Sequence, residues 1–522
     1  MIKMNKALEN IVKNSNKKNW FFLSLILLSS LSVRFFLIPI DVPIKLDGID
    51  YFSFAAELSK NGVFPNGILH TNDGWSIFLS PFFSLIGLND FMNLIYLQRI
   101  LSIIISTITI IPVYYLCRKY TNSNFSLIGV SIFAFHPRLI ENSILGISEP
   151  LFIFLITLTI LFTVLKNEKF IFIAAIFASF SSIVRYEGLL LFIPITIIFF
   201  LKHRKQKKNY LHYFVIIITT SLILLPVGYL RSQDNGVDGL LSHIFAGIKY
   251  SYNAQSISTE QNNAIGNSNS NFMYNLFFNL SKFLIWTSIP FFIFLVPLGL
   301  YFIIKSKNYD SIILLLFGLF LIIPASYAYA REFPEIRYLF VLFPIFAVFS
   351  SQSFELVSNR FKKKWIFIII LIIFTYSIFY LYNNNEDYVF QKEIYLVTKH
   401  IINVADGVNT YSGNGFMKVA TLESTWPKPL PLNEDGRTTY YVNKIAPDNS
   451  ETLKEFLINS KQKNLTHLVV MENNPQPFLD DVFRNPDTYP YLHNTFDSNK
   501  LNFTNKILVF KINYDLLEKI EN

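Results

Sequence analysis

The sequence predicts a polytopic α-helical membrane protein that carries a small α/β domain outside the bilayer at its C-terminal end. Three features predict this fold class. Apolar side chains make up 52% of the 522 residues and charged ones only 16%, where a soluble chain of this size carries roughly 25% charge. The apolar residues gather into runs such as Ile312–Pro324 and Trp365–Phe379 with hardly a charge inside. Past residue 384 the runs stop, and Gly and Pro turns, amphipathic stretches and β-rich stretches replace them. A soluble globular enzyme is thereby excluded for most of the chain. The lone Cys117 excludes an internal disulfide and a cysteine-rich metal site.

A membrane crossing takes about 20 largely apolar residues, fewer where neighbouring helices complete it. Long spans are predicted at Trp20–Ile40, Tyr96–Leu116, His212–Leu230, Phe283–Ile304, Ser311–Ala330, Tyr338–Leu356 and Trp365–Tyr382. Shorter ones are predicted at Phe125–Phe135, Leu151–Leu165, Phe170–Val184 and Leu189–Leu201. Residues 170–201 as one helix would reach about 48 Å against a hydrocarbon core of about 30 Å. Arg185-Tyr186-Glu187-Gly188 interrupts them, so they form a hairpin of two short spans. Trp75–Leu88 is short and carries Pro81, and is expected to lie in the interface or re-enter.

Basic residues test this count, because short cytoplasmic loops collect them. Segments 1–18, 118–119, 166–169, 202–208, 305–307 and 360–364 hold 20 of the 31 Lys and Arg residues before position 385. Eleven spans, with the N-terminus cytoplasmic and the C-terminus outside, fit all six segments. The net charge of +9 divides in the same way: residues 1–384 carry 31 basic and 18 acidic side chains, and the remainder 14 and 18. The basic excess therefore reports membrane topology and no nucleic-acid partner.

The expected organisation is a basic cytoplasmic N-terminus (1–18), a membrane domain (19–383) with outer loops at 41–95 and 231–282, and an extracytoplasmic α/β domain (384–522). In that last domain helices are predicted at Gln391–Val404 and Glu451–Ser460, and strands at Leu468–Met471 and Ile507–Ile512. It holds no glycine-rich phosphate loop, metal-spaced cluster or hydrolase elbow, which suits an acceptor-handling or structural module.

Three constellations are placed to do chemistry. Just beyond the first span, Asp47, Asp50 and Tyr51 open an amphipathic stretch. A carboxylate there can take a proton from an attacking hydroxyl or simply cap a helix. Arg34, Arg99, Arg185 and Arg337 lie within or at the outer ends of apolar spans, with Arg138 and Arg331 in nearby loops. Ionisable groups at such depth are costly and point to function. Guanidinium groups match phosphate oxygens in two-pronged fashion, although any one of them can also snorkel to a headgroup. The third set is acidic: Glu141, Glu149 in Ser148-Glu149-Pro150, and Glu187 beside Arg185, each a possible ion-pair partner for an arginine. His136-Pro137 is a turn signal, and no His pair has zinc-ligand spacing.

Taken in order, these residues form a recognisable set. Asp47-x-x-x-Tyr51-x-x-x-Ala55-x-x-Leu58 resembles the first-loop motif of the GT-C superfamily of integral-membrane glycosyltransferases, most closely the polyprenyl-phosphate-sugar-dependent branch of protein mannosyltransferase and aminoarabinose transferase relatives. Gly74-Trp75-Ser76-x-Phe78-x-x-Pro81, Arg99, His136-Pro137, Ser148-Glu149-Pro150, the Arg185-x-x-Gly188 hairpin and Arg337-Tyr338 with Pro344 follow in the order of that branch. The resemblance covers about residues 20–356. It implies transfer of a sugar from a polyprenyl (dolichyl or undecaprenyl) phosphate to an acceptor outside the cytoplasm, the acceptor being a protein, lipid or glycan, in the cell membrane of a prokaryote. Asp47 would be the base or acceptor-orienting group. The family often has Glu directly after this Asp; here Gly48 follows, so Asp50 or Glu149 would supply the second carboxylate. Arg337 and Arg185, with Arg99 and Arg34, would hold the donor phosphate, and Tyr51, Glu187, Arg138 and Tyr338 would line the substrate. The metal-dependent oligosaccharyltransferase branch carries a Trp-Trp-Asp signature absent from this sequence, so no cofactor is expected to be required, a divalent metal being possible but not indicated. The competing expectations are a ligase or polymerase using a lipid pyrophosphate, and a lipid or sugar transporter or flippase. The lack of an internal repeat counts against a transporter built from paired halves.

Overall fold

All eleven predicted spans are helical in the computed structural model. It describes residues 17–45, 47–65, 72–165, 169–203, 208–235, 240–242, 245, 272–306, 308–357, 363–384, 387–428, 442–447, 450–472, 474 and 476–519. The N-terminal residues 1–16, Leu46, the stretch 246–271 of the polar outer loop, and parts of the basic segments at 166–168, 204–207 and 358–362 lie outside the described residues.

Six helices have the length and apolarity of a full crossing: Asn19–Phe36, Phe91–Tyr120, Tyr210–Gln233, Tyr309–Ala330, Ile336–Val357 and Trp365–Asn383. The span expected at Phe283–Ile304 is instead a pair of helices, Phe272–Ser288 and Phe292–Ser306, bent by 107°. Pro290 in the break has no N–H with which to continue a helical ladder. Counted as one broken span, the pair is a seventh candidate among the described residues. The remaining four helices, Ser123–Ala134, Glu149–Val164, Lys169–Val184 and Phe192–His203, have 12 to 16 residues. They reach only about 18–24 Å, so length alone makes none of them a full crossing. The chain is a multi-pass membrane protein. Gly74–Ile86, expected to be interfacial or re-entrant, is a 13-residue helix with Pro81 inside it, about 20 Å long.

Two compact units emerge. The first comprises Met1–Ile38, Asn61–Phe82 and Leu97–Asn384. Within it several buried hydroxyls bond the backbone of their own helix, as an apolar surrounding favours. Thr157, Thr159 and Thr163 each donate to the carbonyl four residues back at 2.6–2.9 Å. Small residues set the closest helix contacts: a Cβ on Gly129 would meet the Ala347 carbonyl, and one on Gly299 would meet the Phe349 backbone.

The second unit comprises Pro39–Lys60, Phe83–Tyr96 and Asn385–Asn522. Its sheet has five strands in the order β2-β1-β3-β5-β4: β1 Gly407–Asn409, β2 Asn443–Ile445, β3 His467–Met471, β4 Leu492–Asp497 and β5 Ile507–Ile512. Strand β1 runs parallel to β2 and β3, whereas β5 is antiparallel to β3 and β4. The two β-rich stretches anticipated from sequence are the neighbouring strands β3 and β5. Helices Tyr388–Val404 and Leu453–Lys461 occupy the two amphipathic stretches. Phe456, Leu468, Val470, Val482 and Phe510 form the core of this unit.

Candidate functional site

In the first unit one helix start, one helix end and two 3-10 turns bring charge together. Helix Glu149–Val164 opens with Glu149 and Pro150, where a carboxylate suits the partial positive charge of the helix end and proline has no N–H to lose. Lys169–Val184 ends at Arg185, which is extended (φ −148°, ψ 130°) and caps the 3-10 turn Tyr186–Leu191. Glu335 accepts from the Arg337 N–H and so caps the 3-10 turn Ile336–Leu342.

The side chains meet as a network of three carboxylates and two guanidiniums. Arg185 reaches Glu149 Oε1 with Nη1 at 3.0 Å and Glu187 Oε1 with Nη2 at 2.9 Å. Its guanidinium also lies over the Phe152 and Tyr338 rings, 5.8 Å from each centroid. Arg337 grips Glu335 with Nε at 3.0 Å and Nη2 at 3.1 Å, while its Nη1 stands 3.6 Å from the same Glu149 oxygen. Both arginines therefore converge on one buried carboxylate. The second oxygens of Glu149 and Glu187 are buried with no hydrogen-bond partner among the described residues. Such carboxylate oxygens can accept hydrogen bonds from hydroxyl or amide donors.

The surroundings hold this network in place. Gly146 adopts φ +70°, which favours glycine, and its carbonyl accepts from Trp75 Nε1 at 2.9 Å and Gln98 Nε2 at 2.6 Å. The turn leading to Glu149 is thereby fixed by the Gly74-Trp75 motif. The backbone preceding and following Arg185 is clasped by the turn at 72–74. Asn72 Oδ1 accepts from Tyr186 N at 3.3 Å. Gly74 lies so close that a Cβ would sit 2.5 Å from Val184 N. Asp73 pairs with Arg231 at 2.8 Å, and Arg231 donates to the Ile183 carbonyl at 3.3 Å. Gly188 closes the hairpin, since a Cβ there would meet the Ser182 N at 2.6 Å. Gly188→Ala is expected to cost about 1–3 kcal/mol as an overpacked contact. Thermal unfolding of the detergent-solubilised chain checks this, and an unchanged Tm would contradict it.

The other residues singled out from sequence fall elsewhere. Arg34 is completely enclosed, and its Nη1 donates to the Ser30 and Ala134 carbonyls at 3.2 and 3.1 Å. It thus ties helix Lys17–Phe36 to helix Ser123–Ala134 and is not among the groups joined at Glu149. Arg99 is buried on helix Phe91–Ile108. Arg138 donates to the Trp286 carbonyl at 3.2 Å and lies over its ring. His136 is fully buried against Phe292 and Phe343, a packing role in keeping with its turn position. Glu335, Asp73 and Arg231 were not anticipated.

The second unit contains the first-loop motif. Helix Asp47–Asn61 begins with exposed Asp47 and half-buried Asp50, and Tyr51 is buried behind them. Lys418, on helix Met417–Thr425, forms an ion pair with Asp50. Burial lowers the Lys418 ammonium to about 8, with the Asp47 charge acting in the opposite direction. Among the described residues no three His, Cys, Asp or Glu side chains gather as metal ligands.

Residues 78–229 match the family model of dolichyl-phosphate-mannose-protein mannosyltransferases. In fold the chain is similar to the oligosaccharyltransferase of Archaeoglobus fulgidus tethered with an acceptor peptide, at a TM-score of 0.54 and 12% identity over 88% of this chain and 69% of that one. The archaeal oligosaccharyltransferase AglB of the same organism, in complex with an inhibitory peptide and a dolichol-phosphate, gives 0.53 and 12% over 92% and 73%. ArnT from Cupriavidus metallidurans, bound to undecaprenyl phosphate, gives 0.50 and 8% over 93% and 97%. At these identities the likeness is one of fold. No curated protein sequence matches the chain.

Proposed function

We propose that this chain, which belongs to the GT-C superfamily of integral-membrane glycosyltransferases, moves a sugar from a polyprenyl phosphate carrier to an acceptor hydroxyl or amine on the extracytoplasmic side of the membrane. The observation that carries this reading is the convergence of Arg185 and Arg337 on Glu149, beside two buried carboxylate oxygens without partners among the described residues. Guanidiniums suit a phosphate, and the carboxylate oxygens suit sugar hydroxyls. The family model spans Glu149 and the Arg185 hairpin, and its name specifies a dolichyl-phosphate sugar. Two of the similar folds hold polyprenyl phosphates and one an acceptor peptide, which supports a lipid monophosphate donor and favours a protein acceptor. The whole-length likeness to ArnT, which binds a monophosphate, favours that donor over a pyrophosphate.

In the proposed step an acceptor oxygen or nitrogen attacks the anomeric carbon as the bond from that carbon to the phosphate oxygen breaks. The acceptor proton passes to Asp47, and polyprenyl phosphate leaves. Negative charge grows on the phosphate during this step, so fixed guanidiniums at Arg185 and Arg337 stabilise the transition state more than the ground state. Glu149 holds the two arginines at a common point, and Asp50 stands beside Asp47 as the further first-loop carboxylate.

The test is transfer in vitro from a panel of polyprenyl-phosphate sugars to hydroxyl and amine acceptors, with and without chelator. Asp47→Asn is expected to lower kcat by about 10²–10⁴, the worth of a positioned general base, while the protein stays folded. Wild-type turnover in the variant overturns the role of Asp47. Turnover only with pyrophosphate-linked glycans overturns the donor class, and movement of lipid without transfer favours a flippase.

A further inference from the structure

The C-terminal module grips the first-loop segment at several points within the second unit. Lys392 pairs with Asp41 at 2.6 Å, and Lys45 donates to Gln391 Oε1 at 3.3 Å. Trp426 packs against Phe52 and Phe91 and donates through Nε1 to the Leu88 carbonyl at 2.8 Å. These contacts hold the segment just ahead of the first-loop helix and, through Phe52, the helix itself. One further contact is different in kind, because it ends on the acidic face of that helix.

Asp47 and Asp50 are three residues apart at the start of helix Asp47–Asn61, hence neighbours on one face, and two like charges so placed repel. The Lys418 ammonium bonds Asp50 Oδ1 and lies within electrostatic reach of Asp47. Lys418 is itself well anchored: its helix begins between buried Phe416 and Met417, and its side chain is 19% exposed.

We propose that Lys418 is a positioning residue for the transferase reaction: paired with Asp50, it holds the start of helix Asp47–Asn61 in place and keeps Asp47 set to accept the acceptor's proton. This inference rests on the function proposed above and gives the C-terminal module a part in it. Among the described residues the charged groups that act on Lys418 are Asp47 and Asp50 on the facing helix; on the adjoining elements stand Lys45, over the Phe416 ring at 5.4 Å, and the Lys399–Glu423 pair at 2.9 Å. Burial already brings the ammonium down to about 8. Its charge, and with it the hold on Asp50, is therefore lost as pH rises through that value. Arginine in its place remains charged throughout.

The experiment uses the full chain in nanodiscs, as wild type, Lys418→Met and Lys418→Arg. It combines pH–rate profiles from about pH 6 to 9.5 with amide hydrogen exchange over residues 47–60. Wild-type kcat is expected to fall near pH 8. Lys418→Met should lose roughly tenfold in kcat at neutral pH with the donor KM within about threefold of wild type, and should exchange faster in the helix. Lys418→Arg should restore both readouts at neutral pH and abolish the alkaline fall. Unchanged exchange in Lys418→Met overturns the proposal whether or not transfer is measured, and so does unchanged kcat or an alkaline fall that survives in Lys418→Arg. Absence of transfer by the wild type from every donor overturns the proposed function instead. The exchange measurement then still decides whether Lys418 positions the helix.

Discussion

Arg185→Lys is expected to lower kcat/KM for the lipid-linked donor by about 10²–10³, the usual loss when one charge-stabilising donor is removed from a transition state. The charge survives this substitution but the geometry does not. Arg185 uses two separate nitrogens to reach Glu149 and Glu187, and a single ammonium on a flexible stem cannot reproduce that planar fork. Arg185→Ala removes the charge as well and leaves the carboxylates of Glu149 and Glu187, 8% and 10% exposed, without the cation between them. Breaking a buried pair in this way costs about 3–5 kcal/mol. Arg337, 3.6 Å from Glu149, offsets part of that loss. Lysine should therefore damage catalysis far more than folding, and alanine should damage both. Donor-dependent kinetics and thermal unfolding in detergent separate the two. A kcat/KM within about threefold of wild type in Arg185→Lys would show that this guanidinium does not meet the donor.

Much of this architecture was legible because apolar run length and basic-loop placement are strong one-dimensional signals. All eleven segments are helices, yet the stretch 283–304 looked continuous by hydropathy alone. Its bend at 289–291 is a backbone event that apolar composition conceals, although Pro290 marked the place. The arginines show the limit more sharply. By sequence Arg34, Arg99, Arg185 and Arg337 had equal standing as charges in or beside spans. Whether such a charge serves a ligand or a helix contact depends on partners distant in sequence. Arg34 meets the Ala134 carbonyl, 100 positions away, and Arg185 meets Glu149, 36 positions away. Glu335 was overlooked although it sits two residues before Arg337, at a spacing that suits a cap. Arg231 ends an apolar run just as the other arginines do, and the same rule applied evenly would have included it. Asp73 carried no such signal, because nothing local indicates that a loop aspartate will be buried.

That aspartate gives the other large expectation. Asp73→Ala should cost about 3–5 kcal/mol, because Arg231 would keep its charge in a site where both side chains are 2% exposed and, among the described residues, would retain the Ile183 carbonyl alone. Replacing both partners, as Asp73→Ala with Arg231→Met, should recover most of the stability, since no buried charge is then left uncompensated. The pH dependence has a definite sign. Burial raises the Asp73 carboxyl to about 6, against the pull of Arg231, so the folded chain holds this proton more tightly than the unfolded chain does. Through this group alone, lowering the pH from about 7 to 5 should add stability in the wild type, and Asp73→Asn should lack that increment. The difference in Tm between the two proteins, followed over this range, checks the sign, and a difference that stays constant would contradict it. Because Asp73 anchors the guanidinium that holds the backbone two residues before Arg185, transfer should fall along with stability in Asp73→Ala. It should stay low in the double variant even as the Tm returns, since the clasp on Ile183 is then gone. Recovery of full transfer in the double variant would show that the clasp contributes stability and nothing to the placement of Arg185.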